Sequence, residues 1–173
     1  QSIHGEPAAV YTRRLLLDPL GMTRSSFVWR PEYATTATRG MNGDGNPDIV
    51  LTCGGKTEGK LDPTKGFVAV LWGDGPGAFK AAQPLIPLGA SGLKAAVGDL
   101  NNDQRPDIVV IAHDSYTVTL LFQDERGQFP GDRKRTILAS NGNQPHTHDV
   151  AVGDVNGDGN LDILTTNADE NKV

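Results

Sequence analysis

Ten residues near the end of the chain could do metal chemistry: Gly153-Asp154-Val-Asn156-Gly-Asp158-Gly159-Asn160-Leu-Asp162. Counted from Asp154, oxygen-bearing side chains fall at positions 1, 3, 5 and 9 of a tight loop. A hard cation such as Ca2+ takes six to eight oxygens at about 2.3–2.6 Å, and alternate residues of a curled backbone can supply them. Gly159 at position 6 permits the sharp turn, because glycine reaches positive φ without a Cβ clash. The loop differs from an EF-hand: Asp162 closes it early, and the β-rich run Ile163-Leu164-Thr165-Thr166 follows where a helix would begin. The plainer alternative is a polar hairpin that binds nothing.

The pattern recurs twice upstream, as Gly98-Asp99-Leu-Asn101-Asn-Asp103-Gln104-Arg105-Pro-Asp107 and as Gly40-Met-Asn42-Gly-Asp44-Gly45-Asn46-Pro-Asp48. The closing aspartates lie 59 and 55 residues apart, and each leads into a similar run, Ile49-Val-Leu-Thr, Ile108-Val-Val-Ile and Ile163-Leu-Thr-Thr. A period of this size signals a repeat architecture, and propeller blades of four short strands take about 40–50 residues.

The three loops are not equivalent. Loops two and three would bind through Asp99, Asn101, Asp103 and Asp107, and through Asp154, Asn156, Asp158 and Asp162. Position 7, Arg105 or Asn160, would give its backbone carbonyl, and the Arg105 side chain is expected to point away from the ion. Gln104 replaces the glycine of position 6, where a non-glycine residue at positive φ costs of order 1 kcal/mol. In loop one Gly40 stands in place of the first aspartate, leaving Asn42, Asp44 and Asp48. Because affinity follows charge count and rigidity, the expected order is loop three, then two, with loop one weak or silent.

These residues resemble the FG-GAP/VCBS repeats of integrin α-subunit propellers, some fungal lectins and many secreted bacterial proteins. Val97-Gly98-Asp99 and Val152-Gly153-Asp154 are similar to the head of that signature. Leu71-Trp72-Gly73-Asp74-Gly75-Pro76-Gly77-Ala78-Phe79 is similar to its tail, and Leu121-Phe122-Gln123-Asp124-Glu125-Arg126-Gly127-Gln128-Phe129 more loosely. The resemblance spans about residues 39–173. It implies an all-β, incomplete β-propeller of four-stranded blades, about two and a half of them, over 39–90, 91–145 and, in part, 146–173. Strands are expected at 35–41, 48–53, 67–72 and 81–87, then at 93–98, 107–112, 116–122 and 134–138, and finally at 148–153 and 162–166.

Residues 1–38 stand outside the repeat. Over 7–18 the spacing of Tyr11 and Leu15 and the placing of Pro7 predict a helix that Asp18-Pro19 ends, making a short helical arm. The stretch Pro19-Leu20-Gly21-Met22-Thr23 resembles a segment of serine β-lactamase-like hydrolases, and His4-Gly5-Glu6-Pro7 sits where that family often has S-G-x-P. The catalytic motifs of that family lie outside the matching segment. Ser91-Gly-Leu-Lys94 spells S-x-x-K, yet it lies downstream and leads into a strand, so the arm reads as a remnant or graft without catalysis of its own. The loss of the first aspartate at Gly40 coincides with this change of character, as a fusion breakpoint would produce.

Composition bounds the function classes. With 21 glycines in 173 residues and 6% aromatics, the chain favours short strands joined by many turns. The net charge of −5 argues against nucleic acid, which is bound through a basic face. No apolar run approaches the ~20 residues that span a bilayer. The single cysteine, Cys53, allows no internal disulfide and suits a small core position. The start at Gln1, without a Met or a basic-then-apolar leader, reads as a mature or excised piece. Modular calcium sites with Kd of about 10⁻⁴–10⁻³ M fill outside the cell, which points to an extracellular or secreted protein.

Weaker candidates have plainer explanations. His146-Thr147-His148 could hold a transition metal, but a solvated start of a strand accounts for it better. Gly54-Gly-Lys-Thr57 lacks the spacing of a phosphate-binding loop. Trp29 and Trp72 could line a sugar site, although Trp72 stands at a core-strand position. The expectation is therefore a calcium-binding extracellular repeat module for binding or assembly, not an enzyme. A lectin-like sugar binder and a hydrolase accessory piece are the alternatives. Closed propellers take about 4–8 blades, so further blades of a larger protein or self-association through an unpaired strand edge would complete the sheet stack.

Overall fold

A computed structural model describes residues 2–3, 6–7, 40–54, 56–57, 60–61, 66–75, 78–80, 85–112, 117–139 and 147–167. Thirteen strands run through them. The first seven are β1 (Ser2–Ile3), β2 (Glu6–Pro7), β3 (Ile49–Cys53), β4 (Lys56–Thr57), β5 (Lys60–Leu61), β6 (Phe67–Leu71) and β7 (Ile86–Pro87). Then follow β8 (Gly92–Gly98), β9 (Asp107–Ala112), β10 (Thr117–Leu121), β11 (Lys134–Leu138), β12 (Thr147–Gly153) and β13 (Asp162–Asn167). Among the described residues the helical content is one 3-10 turn, Gly131–Arg133. Over the described residues the fold is all-β, built from several small sheets.

Two compact units divide the chain, Gln1–Ile49 with Val70–Gln83, and Val50–Ala69 with Pro84–Val173. Strands β3, β6 and β7 form a three-stranded sheet in the order β3-β6-β7. In the first unit Pro7, expected to open a helix, pairs with Ser2 in the β1–β2 ladder instead. The rest of that expected helix and the hydrolase-like stretch lie outside the described residues, as do 35–39 of the first expected strand. Gly40 and Met41, the described end of that strand, form loop and turn, because Met41 already donates its N–H to the closing Asp48.

The second unit holds the fullest repeat. Strands β8 to β11 form a four-stranded sheet in the order β11-β10-β9-β8, an antiparallel meander. Strand β9 (Asp-Ile-Val-Val-Ile-Ala) is buried along its whole length. That follows from a continuous β-branched run with no polar alternation, which suits a strand covered on both faces. Val109 and Ile111 point to one face and join Val118 and Leu120 of β10 and Val150 of β12 in a core, with Val152 and Ile163 packed against it. The other face meets the preceding segment: a Cβ on Gly92 would stand 2.7 Å from Leu88 and 3.5–3.6 Å from Thr52 and Val110. One repeat therefore buries its apolar side chains against the next.

Strands β12 and β13 pair as β8 and β9 do, and the two hairpins share their fine detail. Each closes its loop at a Gly–Asp pair, Gly98↔Asp107 and Gly153↔Asp162. Each carries a register shift at the same distance from that loop, between Gly92 and Lys94 and between Thr147 and Asp149. The bulge leaves Leu93 and His148 exposed while Thr147 is buried. Lys94 meets Asp149 across the neighbouring strands at 2.7 Å, an exposed pair of small energetic weight. Gly98 lets the next hairpin pack closely, since a Cβ there would lie 2.6 Å from the Leu161 side chain and 3.1 Å from that of Val152.

Ile111 has no exposure and sits in the inter-repeat core, whereas Leu138 on the outer strand is 74% exposed. I111A is expected to cost about 2–5 kcal/mol and L138A less than about 0.5 kcal/mol, read as midpoint shifts in urea unfolding at unchanged slope.

Candidate metal-binding loops

The three loops follow one backbone course. Loop one spans 40–48, loop two joins β8 to β9, and loop three joins β12 to β13. Position 6 has positive φ in all three: Gly45 at 80°, Gln104 at 66° and Gly159 at 86°. So does position 4, at Gly43 (75°), Asn102 (58°) and Gly157 (79°). Sequence reasoning anticipated the first and missed the second. The signal was present, since glycine and asparagine are the residues that enter the left-handed region most readily.

Side-chain oxygens hold this course by accepting from backbone N–H groups. The position-1 carboxylate takes the N–H groups of positions 5 and 6: Asp103 and Gln104 donate to Asp99 at 3.0 and 2.8 Å, and Asp158 and Gly159 to Asp154 at 3.2 and 2.9 Å. The asparagine at position 3 takes the N–H of position 5, from Asp44 to Asn42 at 3.1 Å, Asp103 to Asn101 at 3.1 Å and Asp158 to Asn156 at 2.9 Å. The aspartate at position 5 takes the N–H of position 7, from Asn46 to Asp44 at 2.8 Å, Arg105 to Asp103 at 3.0 Å and Asn160 to Asp158 at 2.8 Å.

The closing aspartate does more. Asp107 has no solvent exposure; its Oδ2 accepts from Leu100 N–H at 3.1 Å and its Oδ1 from Gln123 N–H at 2.9 Å, just past β10. Asp48 repeats the arrangement with Met41 and, at 2.7 Å, with Gly73, just past β6. Asp162 accepts from Val155 N–H at 3.0 Å. In loops one and two position 9 thus ties the loop's start to the residues just past β6 and β10. Gly73 and Gln123 are the residues that sequence reasoning did not connect with the loops. A Cβ on Gly73 would stand 2.5 Å from the Pro47 carbonyl oxygen, which accounts for the glycine in Leu71-Trp72-Gly73.

A model of the FG-GAP-like repeat family matches residues 41–110 and again 99–165, together more than two thirds of the chain. The chain belongs to the FG-GAP-like repeat family. No curated protein and no solved structure matches it. The matched spans take in all of these FG-GAP loops except Gly40. They start after the hydrolase-like arm, which is not shown.

Electrostatics separates two kinds of aspartate. The backbone N–H of Asn46 and the Asn42 amide hold the Asp44 carboxyl below its ordinary range. Asp154 is lowered chiefly by Gly159 N–H, and Asp158 by Asn160 N–H. Burial raises Asp48 and Asp107, against the pull of the N–H groups they accept. The two kinds act with opposite sign. Stability from the lowered group is present above the ordinary carboxylate pKa and is lost as pH falls through the shifted values. The raised pair contributes below the ordinary value and loses that contribution as pH rises through theirs.

Whether the donor set fits a divalent cation is answered best in loop one. A Cβ on Gly40 would meet the Asn46 carbonyl oxygen, Asp44 Oδ1 at 2.9 Å and Asp48 Oδ2 at 3.2 Å. Oxygens of positions 5, 7 and 9 therefore converge beside position 1, the carbonyl among them. Among the described residues no three His, Cys, Asp or Glu side chains gather into a ready cluster. The convergent set instead mixes carboxylates with a main-chain carbonyl. Each carboxylate oxygen that accepts one N–H keeps a second lone pair.

Loop two departs from expectation. The Arg105 side chain does not point away: its Nη2 pairs with Asp103 Oδ2 at 2.5 Å, and its Nε donates to the Gln123 carbonyl at 3.3 Å. The guanidinium is drawn back because the nearest acceptors are the carboxylate two residues earlier and the carbonyl that Asp107 has fixed. Neighbouring loops also touch, with the Asn102 amide donating to Asn160 Oδ1. Of the other candidates, Ser91 is buried against Gly54 at the start of β8, while Lys94 turns to Asp149. Cys53 is half-buried, which raises its thiol pKa. Trp72 is half-buried, and Trp29 and His146 lie outside the described residues.

Three stability changes follow. D107A strands the N–H groups of Leu100 and Gln123, at about 1–3 kcal/mol for each buried donor left unmet, and should lower urea stability by at least about 2 kcal/mol. Q104G relieves the strain of φ 66° and should raise stability by up to about 1 kcal/mol, offset in part by the freer unfolded chain. G159A, at φ 86° with no described atom within 4 Å of its Cβ, should lower it by a similar amount through strain alone.

Proposed function

We propose that this chain is a calcium-stabilised, extracellular FG-GAP-like module for binding or assembly, with no catalysis of its own. The observation that carries the calcium reading is the convergence of the position-5, position-7 and position-9 oxygens of loop one beside Gly40. Loop three supports it with three aspartates, Asp154, Asp158 and Asp162, on the same backbone course. A bound calcium ion would supply charge neutralisation, fixing loops whose carboxylates are already turned inward. The residues that would hold it are Asp154, Asn156, Asp158 and Asp162 with the Asn160 carbonyl, and more weakly Asn42, Asp44 and Asp48 with the Asn46 carbonyl.

Assembly follows from the way the repeats bury their apolar faces. The core of β9 and β10 is covered by Val150, Val152 and Ile163 of the following hairpin. A repeat of this kind is finished only by a neighbour, either a further four-stranded blade of a propeller or another copy. The family is typically extracellular, where calcium is abundant enough to fill weak modular sites. Among the described residues no helix is long and apolar enough to cross a membrane.

An ion that binds only the folded state adds about 2.7 kcal/mol at a hundredfold excess over Kd. For a chain of this size that is about 5–10 °C in melting midpoint. Thermal unfolding in millimolar calcium against EGTA should show that shift, and D158A should remove more of it than D44A. An unchanged midpoint in a demonstrably folded protein would contradict the calcium reading.

A further inference from the structure

Loop two carries a cation of its own. Arg105 stands at position 7, where loops one and three have Asn46 and Asn160, and its main chain behaves as theirs does. The difference lies at the outer oxygen of the position-5 aspartate. In loops one and three that Oδ2 accepts from a neutral amide, Asn42 Nδ2 at 3.0 Å and Asn156 Nδ2 at 3.1 Å. In loop two the corresponding Asp103 Oδ2 is paired with Arg105 Nη2, and Arg133 Nη2 approaches the same oxygen at 3.6 Å. Arg133 is supplied by the 3-10 turn that precedes β11.

These guanidinium groups are not loose surface charges. The side chains of Arg105, Asp103 and Arg133 are 30%, 21% and 35% exposed. Arg105 is also anchored through Nε to the Gln123 carbonyl, while the N–H of the same Gln123 is held by Asp107. Arg105 therefore bridges position 5 of the loop to the strand end that position 9 already grips. Counting the formal charges at each loop, loop three has three carboxylates, loop one has two, and loop two has three against two arginines.

We infer that Arg105 supplies, at the outer oxygen of Asp103, the positive charge that a metal would bring to loop two, so that this loop stands without calcium while loop three requires it. The inference rests on the calcium reading above and changes the order expected from carboxylate count, placing loop two last. A divalent cation entering beside Asp103 would meet like charge fixed within hydrogen-bonding distance of its ligand. Gln104, holding a strained φ where the other loops have glycine, belongs to the same self-sufficient loop.

Calcium titration calorimetry on the whole chain and on D158N, R105N and R105K tests this. D158N should lose the strongest site. R105N, which gives loop two the asparagine of its neighbours, should gain one equivalent of calcium, and R105K, which keeps the charge, should gain none. In EGTA, R105N should melt below the parent chain and recover in millimolar calcium, a readout that holds even if the variant is weakened. Three results would overturn the inference with the calcium reading intact: loss of a site on D103N in the parent background, no gained site in R105N, or an R105N melting loss that calcium does not restore. A parent chain with no site sensitive to D158N overturns the calcium reading and this inference together.

Discussion

The structure hangs on one carboxylate contact made twice. Asp107 has no exposure, yet burial is tolerable because its two oxygens meet the N–H groups of Leu100 and Gln123. A carboxylate taken out of water without such donors would cost several kcal/mol. By spanning 7 residues back and 16 forward, it fixes the loop, the start of β9 and the end of β10 in one contact. Asp48 does the same for loop one and the residue after β6. Remove that contact and the loop's start loses its tie to the end of β10, leaving the β8–β9 ladder alone to hold it.

From this tie the remaining features follow. The position-1, -3 and -5 side chains satisfy the N–H groups that a curled backbone leaves unpaired, and the curl in turn requires positive φ at positions 4 and 6. Because negative side chains are the acceptors, the loops gather charge that needs an opposite partner. Asn156 meets Asp158 with a neutral amide in loop three, whereas Arg105 meets Asp103 with a full positive charge in loop two. The repeats thus share a backbone and differ in how they are neutralised.

Much of this was legible beforehand, for physical reasons. The runs after the closing aspartates are β-branched and apolar, so β9 falls where expected, at Asp107–Ala112, and β3 and β13 begin within one residue of their expected starts. The period-two oxygen spacing identified the loops because only alternate residues of such a turn face inward. Other features depend on distant contacts that no local pattern encodes. The bond from Gly73 to Asp48 joins residues 25 apart, and the retreat of Arg105 depends on a carbonyl fixed by Asp107. Pro7 misled in a different way: its preset φ suits a helix start and an extended strand residue alike, and here it pairs with Ser2. Position 4 was overlooked because Asn102 hides in a run of five polar residues, 101–105, although asparagine takes positive φ as Gly43 and Gly157 do.

The central claim is that aspartate-rich loops of one backbone form answer to calcium according to the charge already built into them. Amide-resolved NMR during a calcium titration tests it at each loop separately. The account predicts saturable shifts of the Gly157, Gly159 and Asn160 amides up to about 10⁻³ M calcium, with the Gln104 and Arg105 amides unmoved. Equal responses from loops two and three, or no saturable response at Gly159, would contradict it.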